Sequence, residues 1–84
     1  MLFVSQIRAA RGLLGWNQTK LATMAGLALS TIKRMESGDA LIKGNATNVW
    51  KIQCALEEAG IEFIDENGGG VGVRLKSRST DLRS

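Results

Sequence analysis

The chain has 84 residues, of which 44% are hydrophobic and 23% charged, and a net charge of +3; these values are typical of one soluble folded domain. Its single cysteine, Cys54, excludes an internal disulfide and favours a reducing, cytoplasmic location. No apolar run approaches the roughly 20 residues that cross a bilayer, so we expect no membrane segment.

Positive charge is concentrated in the first two thirds of the chain. Residues 1–54 carry seven basic and two acidic side chains, a net charge of +5, whereas residues 55–84 have a net charge of −2. A basic N-terminal part is expected if that part contacts a polyanion, but an ordinary solvated surface would carry the same pattern.

Apolar spacing predicts four helices within residues 1–60. The expected boundaries are an end at Gly15 for the first helix, Gln18–Ala25 for the second, about Leu29 to Ser37 for the third, and a start at Asn45 or Ala46 for the fourth. Asparagine is a favourable N-cap, and Gly26 suits the left-handed position that follows a helix.

After Gly60 the period of the apolar residues changes from helical to alternating. Residues 61–65 and 71–76 alternate approximately around a glycine-rich segment, which predicts a β-hairpin. We therefore predict a mainly α fold followed by a C-terminal hairpin, with a helical domain at 1–60, a hairpin extension at 61–76 and a flexible tail at 77–84.

Two short helices joined by a tight glycine turn are the strongest functional signal. This is the layout of a helix-turn-helix, in which the second helix enters the DNA major groove. The outward side of the predicted third helix is polar and basic, and consists of Ser30, Lys33, Arg34 and Ser37.

The run IRAARGLLGWNQTKLATMAGLALSTIKRMESG resembles the Cro/C1-type (XRE) helix-turn-helix of lambda-repressor-like proteins. The matching features are Ile7, Arg11, Gly15, Asn17-Gln18, Leu21-Ala22, Gly26, Ser30-Thr31-Ile32, Met35-Glu36 and Gly38, and the match covers roughly residues 3–60. The resemblance implies a four- or five-helix bundle that binds double-stranded DNA and regulates transcription.

The resemblance also implies roles for individual residues. Gln18 would touch a phosphate and brace the recognition helix, Leu29, Ser30 and Arg34 would face base edges, and Thr31 and Lys33 would flank them. Side-chain chemistry independently supports a base contact for Arg34, because its planar guanidinium group can bind the O6 and N7 atoms of guanine. It also supports phosphate contacts for the lysines. The full set of candidate DNA contacts is Asn17, Gln18, Lys20, Leu29, Ser30, Thr31, Lys33, Arg34, Lys43 and Asn45.

Two positions depart from the family pattern. Ala28 stands where a capping Ser or Thr is usual, and Leu29 occupies a position that is more often polar. Leu29 would either contact a thymine methyl group or indicate a surface that reads DNA less strictly.

In the same family, the positions of Arg11 and Glu36 form a buried ion pair between the first and third helices. We favour this structural interpretation over Arg11 as a DNA ligand, because a buried charge needs a partner.

A homodimer is expected, because one module covers too little DNA for strong specificity. The candidate interface residues are Trp50, Cys54, Phe63, Val71 and Val73. The alternative is that the hairpin packs on the chain's own helices.

Enzymatic interpretations have little support. The chain has no histidine, and Cys54 has no partner for a metal site or a nucleophilic pair, so we expect no catalysis, no cofactor and no bound metal. The favoured function is a sequence-specific repressor. The alternatives are an antitoxin-like protein that also binds a partner toxin, or a protein-interaction module that has lost DNA binding.

Overall fold

The computed structural model describes residues 2–38 and 40–76. Four helices come first and a two-stranded antiparallel hairpin follows, as predicted. In chain order the elements are α1 (Val4–Leu14), α2 (Gln18–Ala25), α3 (Leu29–Met35), α4 (Ala46–Glu58), β1 (Ile61–Ile64) and β2 (Gly72–Leu75).

Local signals in the sequence account for most helix boundaries. Asn17 and Asn45 each accept a hydrogen bond from the backbone N–H three residues further on, at 2.8 Å. Gly26 has a φ of 71°, in the left-handed region that glycine adopts without a steric penalty. The predicted second helix and both asparagine caps are confirmed.

The recognition helix is shorter than the predicted range of about 29–37. α3 ends at Met35, and Glu36 leaves the helix with φ −90° and ψ 5°. The side chain and the carbonyl of Glu36 both bond to α1, and these contacts replace another helical turn.

One hydrophobic core contains fully buried side chains from all four helices and from β1. Ile7 comes from α1, Leu21 from α2 and Ile32 from α3, and the contributions of α4 and β1 are Ile52, Leu56 and Ile61. Because β1 contributes to this core, the hairpin is packed into the same structure as the helices.

The hairpin packs against α1 and α4. Phe63 lies opposite Val73 across the two strands, and both side chains are half-buried against the core. Gln6, only 2% exposed, donates from its side-chain amide to the carbonyls of Ile64 and Gly72, at 3.4 and 3.1 Å. The chain's own helices thus cover much of the hairpin face that the dimer hypothesis uses.

The segment between α3 and α4 is held by the start of the chain. Val4 N–H donates to the carbonyl of Ala40 at 2.9 Å, and Ile42 N–H donates to the carbonyl of Leu2 at 3.0 Å. These bonds flank an antiparallel bridge between Phe3 and Leu41. The approach to α4 is therefore tied to the N-terminal segment.

Among the helices described, none combines the length and the apolar composition that a membrane span requires. The predicted tail at 77–84 lies outside the described residues.

Candidate nucleic-acid interface

The turn between α2 and α3 sets the angle at which α3 is presented. Gly26 takes the left-handed position, and the N–H of Leu27 donates back to the carbonyl of Ala22 at 2.9 Å. Leu27 then packs on the core and holds the turn from inside. Two short helices joined by such a glycine turn have the layout of a helix-turn-helix.

The two sides of α3 have opposite character. Ile32 and Met35 are buried in the core, whereas Ser30, Lys33 and Arg34 are exposed. The hairpin packs on α1 and α4, and within the part of the chain that the structure describes these three side chains remain exposed. α3 therefore presents a hydroxyl, an ammonium and a guanidinium group to solvent, and these groups suit base edges and phosphates.

The flanking candidate contacts, Leu29 and Thr31, are half-buried. Leu29 is the first residue of α3 and follows Ala28, which makes no side-chain capping bond. The absent cap at Ala28 is as the sequence indicated, since alanine has no acceptor.

A buried polar cluster fixes the C-terminal end of α3. Arg11 donates through Nε and Nη2 to the two carboxylate oxygens of Glu36, at 3.0 and 2.8 Å, and the Glu36 side chain is only 1% exposed. Gln18 donates to the same carboxylate at 3.2 Å. Together these bonds link α1, α2 and the end of α3.

Arg8 is a member of this cluster that sequence reasoning missed. Its Nη2 donates to the backbone carbonyl of Glu36 at 2.9 Å. A basic residue three positions before Arg11 lies on nearly the same side of α1, and cations favour helix C-termini. This spacing was the only signal in the sequence that Arg8 could join Arg11. It did not identify the acceptor, because the Glu36 carbonyl is 28 residues from Arg8 along the chain.

The start of α2 carries further basic and polar groups. Asn17 and Lys20 are exposed and Gln18 is half-buried. The Lys20 ammonium lies 6.0 Å from the centre of the Trp16 ring, at the outer limit of a cation–π contact. This contact places the Lys20 charge near the start of α2.

Lys43 and Asn45, in the segment that leads into α4, are both exposed. The Asn45 side chain caps α4, so its position is set by that helix. The structure thus brings the start of α2, the outer side of α3 and the entrance to α4 to the surface as exposed or half-exposed groups.

Cys54 lacks the features of a reactive thiol. Partial burial raises its pKa, and the nearby carboxylates of Glu57 and Glu58 raise it further. A nucleophilic cysteine needs the opposite shift, because the thiolate is the reactive form.

Comparison with known proteins identifies the family. A search of curated proteins finds no match to this chain. A family model described as Helix-turn-helix matches residues 7–58, which include all four helices except the first residues of α1. The chain therefore belongs to the Cro/C1-type (XRE) helix-turn-helix family of DNA-binding transcriptional regulators.

Proposed function

We propose that this protein is a cytoplasmic, sequence-specific repressor that binds double-stranded DNA as a homodimer, with α3 in the major groove. The observation that carries the proposal is the open outer side of α3. That side is polar and basic, whereas its inner side is buried and its end is bonded to α1 and α2. A major groove about 12 Å wide accepts one such helix.

Specificity and affinity are assigned to different side chains. Arg34 would pair with the O6 and N7 atoms of guanine, and Ser30 would reach a neighbouring base edge. Lys20, Lys33 and Lys43 would contact phosphates, and Thr31 and Asn45 would flank these contacts. Since phosphate contacts release counterions, the affinity for DNA should fall steeply with salt concentration.

Repression needs no additional domain. A protein that covers a promoter blocks polymerase by occupancy, and nothing beyond DNA binding is required of the chain. The domain division at residue 60 is part of this proposal: the helices bind DNA, and the hairpin serves as support and as a neighbour of the dimer contact.

The proposed dimer contact is centred on α4. Trp50 is 63% exposed, and Cys54, one helical turn further on, is half-buried. Val49, next to Trp50, helps to line an open apolar pocket of about 180 Å³ together with Leu2, Leu41 and Ile42. Phe63, Val71 and Val73 are each half-buried and would contribute only their exposed edges. A two-fold pairing would place two α3 helices on half-sites about 34 Å apart.

Binding is tested with the full chain and duplex DNA from the region upstream of its own gene. Arg34→Ala should reduce specific affinity by about tenfold or more, the factor expected for one bidentate base contact. Lys51→Ala is the matched control, because Lys51 is exposed and basic but lies on α4. Absence of salt-dependent binding to any DNA would refute the proposal.

The dimer is tested separately by sedimentation of the wild type and of Trp50→Ala. We expect a dimer at micromolar concentration for the wild type and a shift toward monomer for the variant. A wild type that sediments only as a monomer would remove this part of the proposal and leave DNA binding by a single module.

A further inference from the structure

The tip of the hairpin carries an asparagine followed directly by a glycine. Asn67 and Gly68 lie between β1 and β2, outside both strands, and both are exposed. Gly68 has a φ of 102°, a backbone conformation that residues with a Cβ adopt only with strain. The turn therefore favours glycine at this position, and a glycine leaves its own backbone nitrogen open to the side chain of the asparagine before it.

A carboxylate lies at the same nitrogen. Glu66 Oε2 accepts hydrogen bonds from the N–H of Gly68 at 3.3 Å and from the N–H of Gly70 at 3.1 Å. A base must lie within hydrogen-bond reach of the proton that it removes, and Glu66 is already the acceptor of this proton. The loop thus brings together an amide, a backbone nitrogen and a base.

The other three asparagines of the chain are held differently, and none of them precedes a glycine. The side-chain oxygens of Asn17 and Asn45 each accept a backbone N–H of the helix that they cap, at 2.8 Å. Asn48 lies within α4, where the N–H of the next residue, Val49, donates to the carbonyl of Asn45 at 3.1 Å. Of the four asparagines, Asn67 alone lies in an exposed turn before a glycine.

We propose that Asn67 is a site of spontaneous covalent modification, at which its side-chain amide becomes a carboxylate through a cyclic imide. The backbone nitrogen of Gly68 attacks the Cγ atom of Asn67, while Glu66 accepts the proton of that nitrogen. The new bond closes a succinimide ring, the bond from Cγ to Nδ2 breaks, and Nδ2 takes the proton and leaves as ammonia. Water then opens the ring at either carbonyl carbon and leaves an aspartate or an isoaspartate, with no change in oxidation state.

The modification changes the charge of the hairpin tip and leaves the fold in place. It adds one negative charge beside Asp65 and Glu66. At the base of the tip, Gln6 donates to the carbonyls of Ile64 and Gly72, at 3.4 and 3.1 Å. The reacting groups lie beyond these bonds and are exposed, so the modified and unmodified chains should unfold at the same temperature.

The full chain is tested by incubation in mildly alkaline buffer made with heavy-oxygen water, followed by digestion with trypsin and mass spectrometry. Trypsin distributes the four asparagines over residues 12–20, 44–51 and 52–74, and only the last peptide contains Asn67. Heavy oxygen enters when water opens the ring, so the label marks product formed during the incubation. We expect peptide 52–74 to be modified at least about tenfold faster than the others, a barrier lower by about 1.4 kcal/mol, and to contain isoaspartate.

Two variants test the reacting groups, and a third is the matched control. Glu66→Gln keeps the size of the side chain but cannot take the proton, and it should slow the reaction by about threefold or more. Gly68→Ala places a methyl group beside the attacking nitrogen and should slow it by about tenfold or more. Gly69→Ala should react at the wild-type rate, because its added Cβ would lie 3.9 Å from Asn67 Oδ1, an ordinary contact distance.

An unmodified peptide 52–74, or equal rates in all three peptides, would overturn the proposal. Aspartate without isoaspartate would also overturn it, because direct hydrolysis of the amide gives only aspartate. A wild-type rate in Glu66→Gln would refute the part assigned to that carboxylate. Thermal unfolding shows whether each variant keeps the fold. The experiment uses no DNA, so its result is independent of the proposed function.

Discussion

Two ion pairs of the same composition occupy two regions of the molecule and have different consequences. Arg11 and Glu36 connect α1 to the end of α3, and Arg74 and Glu62 lie opposite each other on the hairpin. Both arginines use two nitrogens, at 2.8–3.0 Å in the first pair and 3.1 Å in the second. In the helical pair the side chains are 18% and 1% exposed, whereas in the hairpin pair they are 63% and 43% exposed.

The difference shows how each region is held in place. In the helix-turn-helix, a buried carboxylate collects donors from Arg11 and Gln18, so polar bonds set the position of the recognition helix. The hairpin is held by apolar burial of Ile61 and by the Gln6 amide, and its ion pair lies in solvent. An arginine–glutamate pair thus fixes the end of the recognition helix when it is buried, and it contributes little to the stability of the hairpin when it is exposed.

The largest effect is expected from Arg11→Ala. The substitution leaves the Glu36 carboxylate buried without its main partner, which should lower the free energy of unfolding by about 3–5 kcal/mol. Chemical denaturation followed by circular dichroism measures the change. Arg74→Ala is the control with the same loss of charge, and an unchanged melting temperature for Arg11→Ala would show that the buried pair contributes nothing to stability.

Ile61→Ala tests the apolar attachment of the hairpin. Truncating a fully buried isoleucine should cost about 2–5 kcal/mol, because burial is lost and a cavity remains. Leu75, directly opposite across the strands but partly exposed, provides the comparison. Equal effects of Ile61→Ala and Leu75→Ala would argue against a hairpin that is held by its buried face.

Arg8→Ala should have an intermediate effect. It removes one hydrogen bond to the carbonyl of Glu36 and leaves the Arg11 pair in place, so we expect a loss of about 1 kcal/mol in unfolding free energy. The same measurement applies. A loss as large as that of Arg11→Ala would mean that the two arginines act as one unit, a possibility that the double variant would test.

The smallest effect concerns pH and the hairpin pair. Hydrogen bonding and charge from Arg74 hold the pKa of Glu62 below its ordinary value of 4.5. Because the folded-state pKa is lowered, the small contribution of this pair is present above pH 4.5 and is lost as pH falls through the folded-state value. Melting curves of the wild type and Arg74→Ala should differ slightly near neutral pH and converge in acid; a difference that grows in acid would contradict this sign.

Most of the helix-turn-helix could be predicted from the sequence, because the residues that set its helix boundaries act on backbone groups close to them in the chain. An asparagine cap acts on an N–H three residues away, and Gly26 meets a backbone requirement at its own position. The end of α3 was placed two residues too late. The family resemblance gave the Arg11 pair, but the bond from Arg8 to the Glu36 carbonyl, where the helix ends, comes from a distant part of the chain and has no signal near Glu36.

The sequence by itself determined the order of the four helices, the caps at Asn17 and Asn45, the hairpin and the basic character of the surface, since each depends on residue type and short spacing. Only the tertiary structure decided that Arg8 holds the carbonyl of Glu36, that Gln6 ties α1 to the hairpin, and which hairpin face is covered. These contacts join residues 28 to 66 positions apart, and such pairings depend on how the whole chain packs.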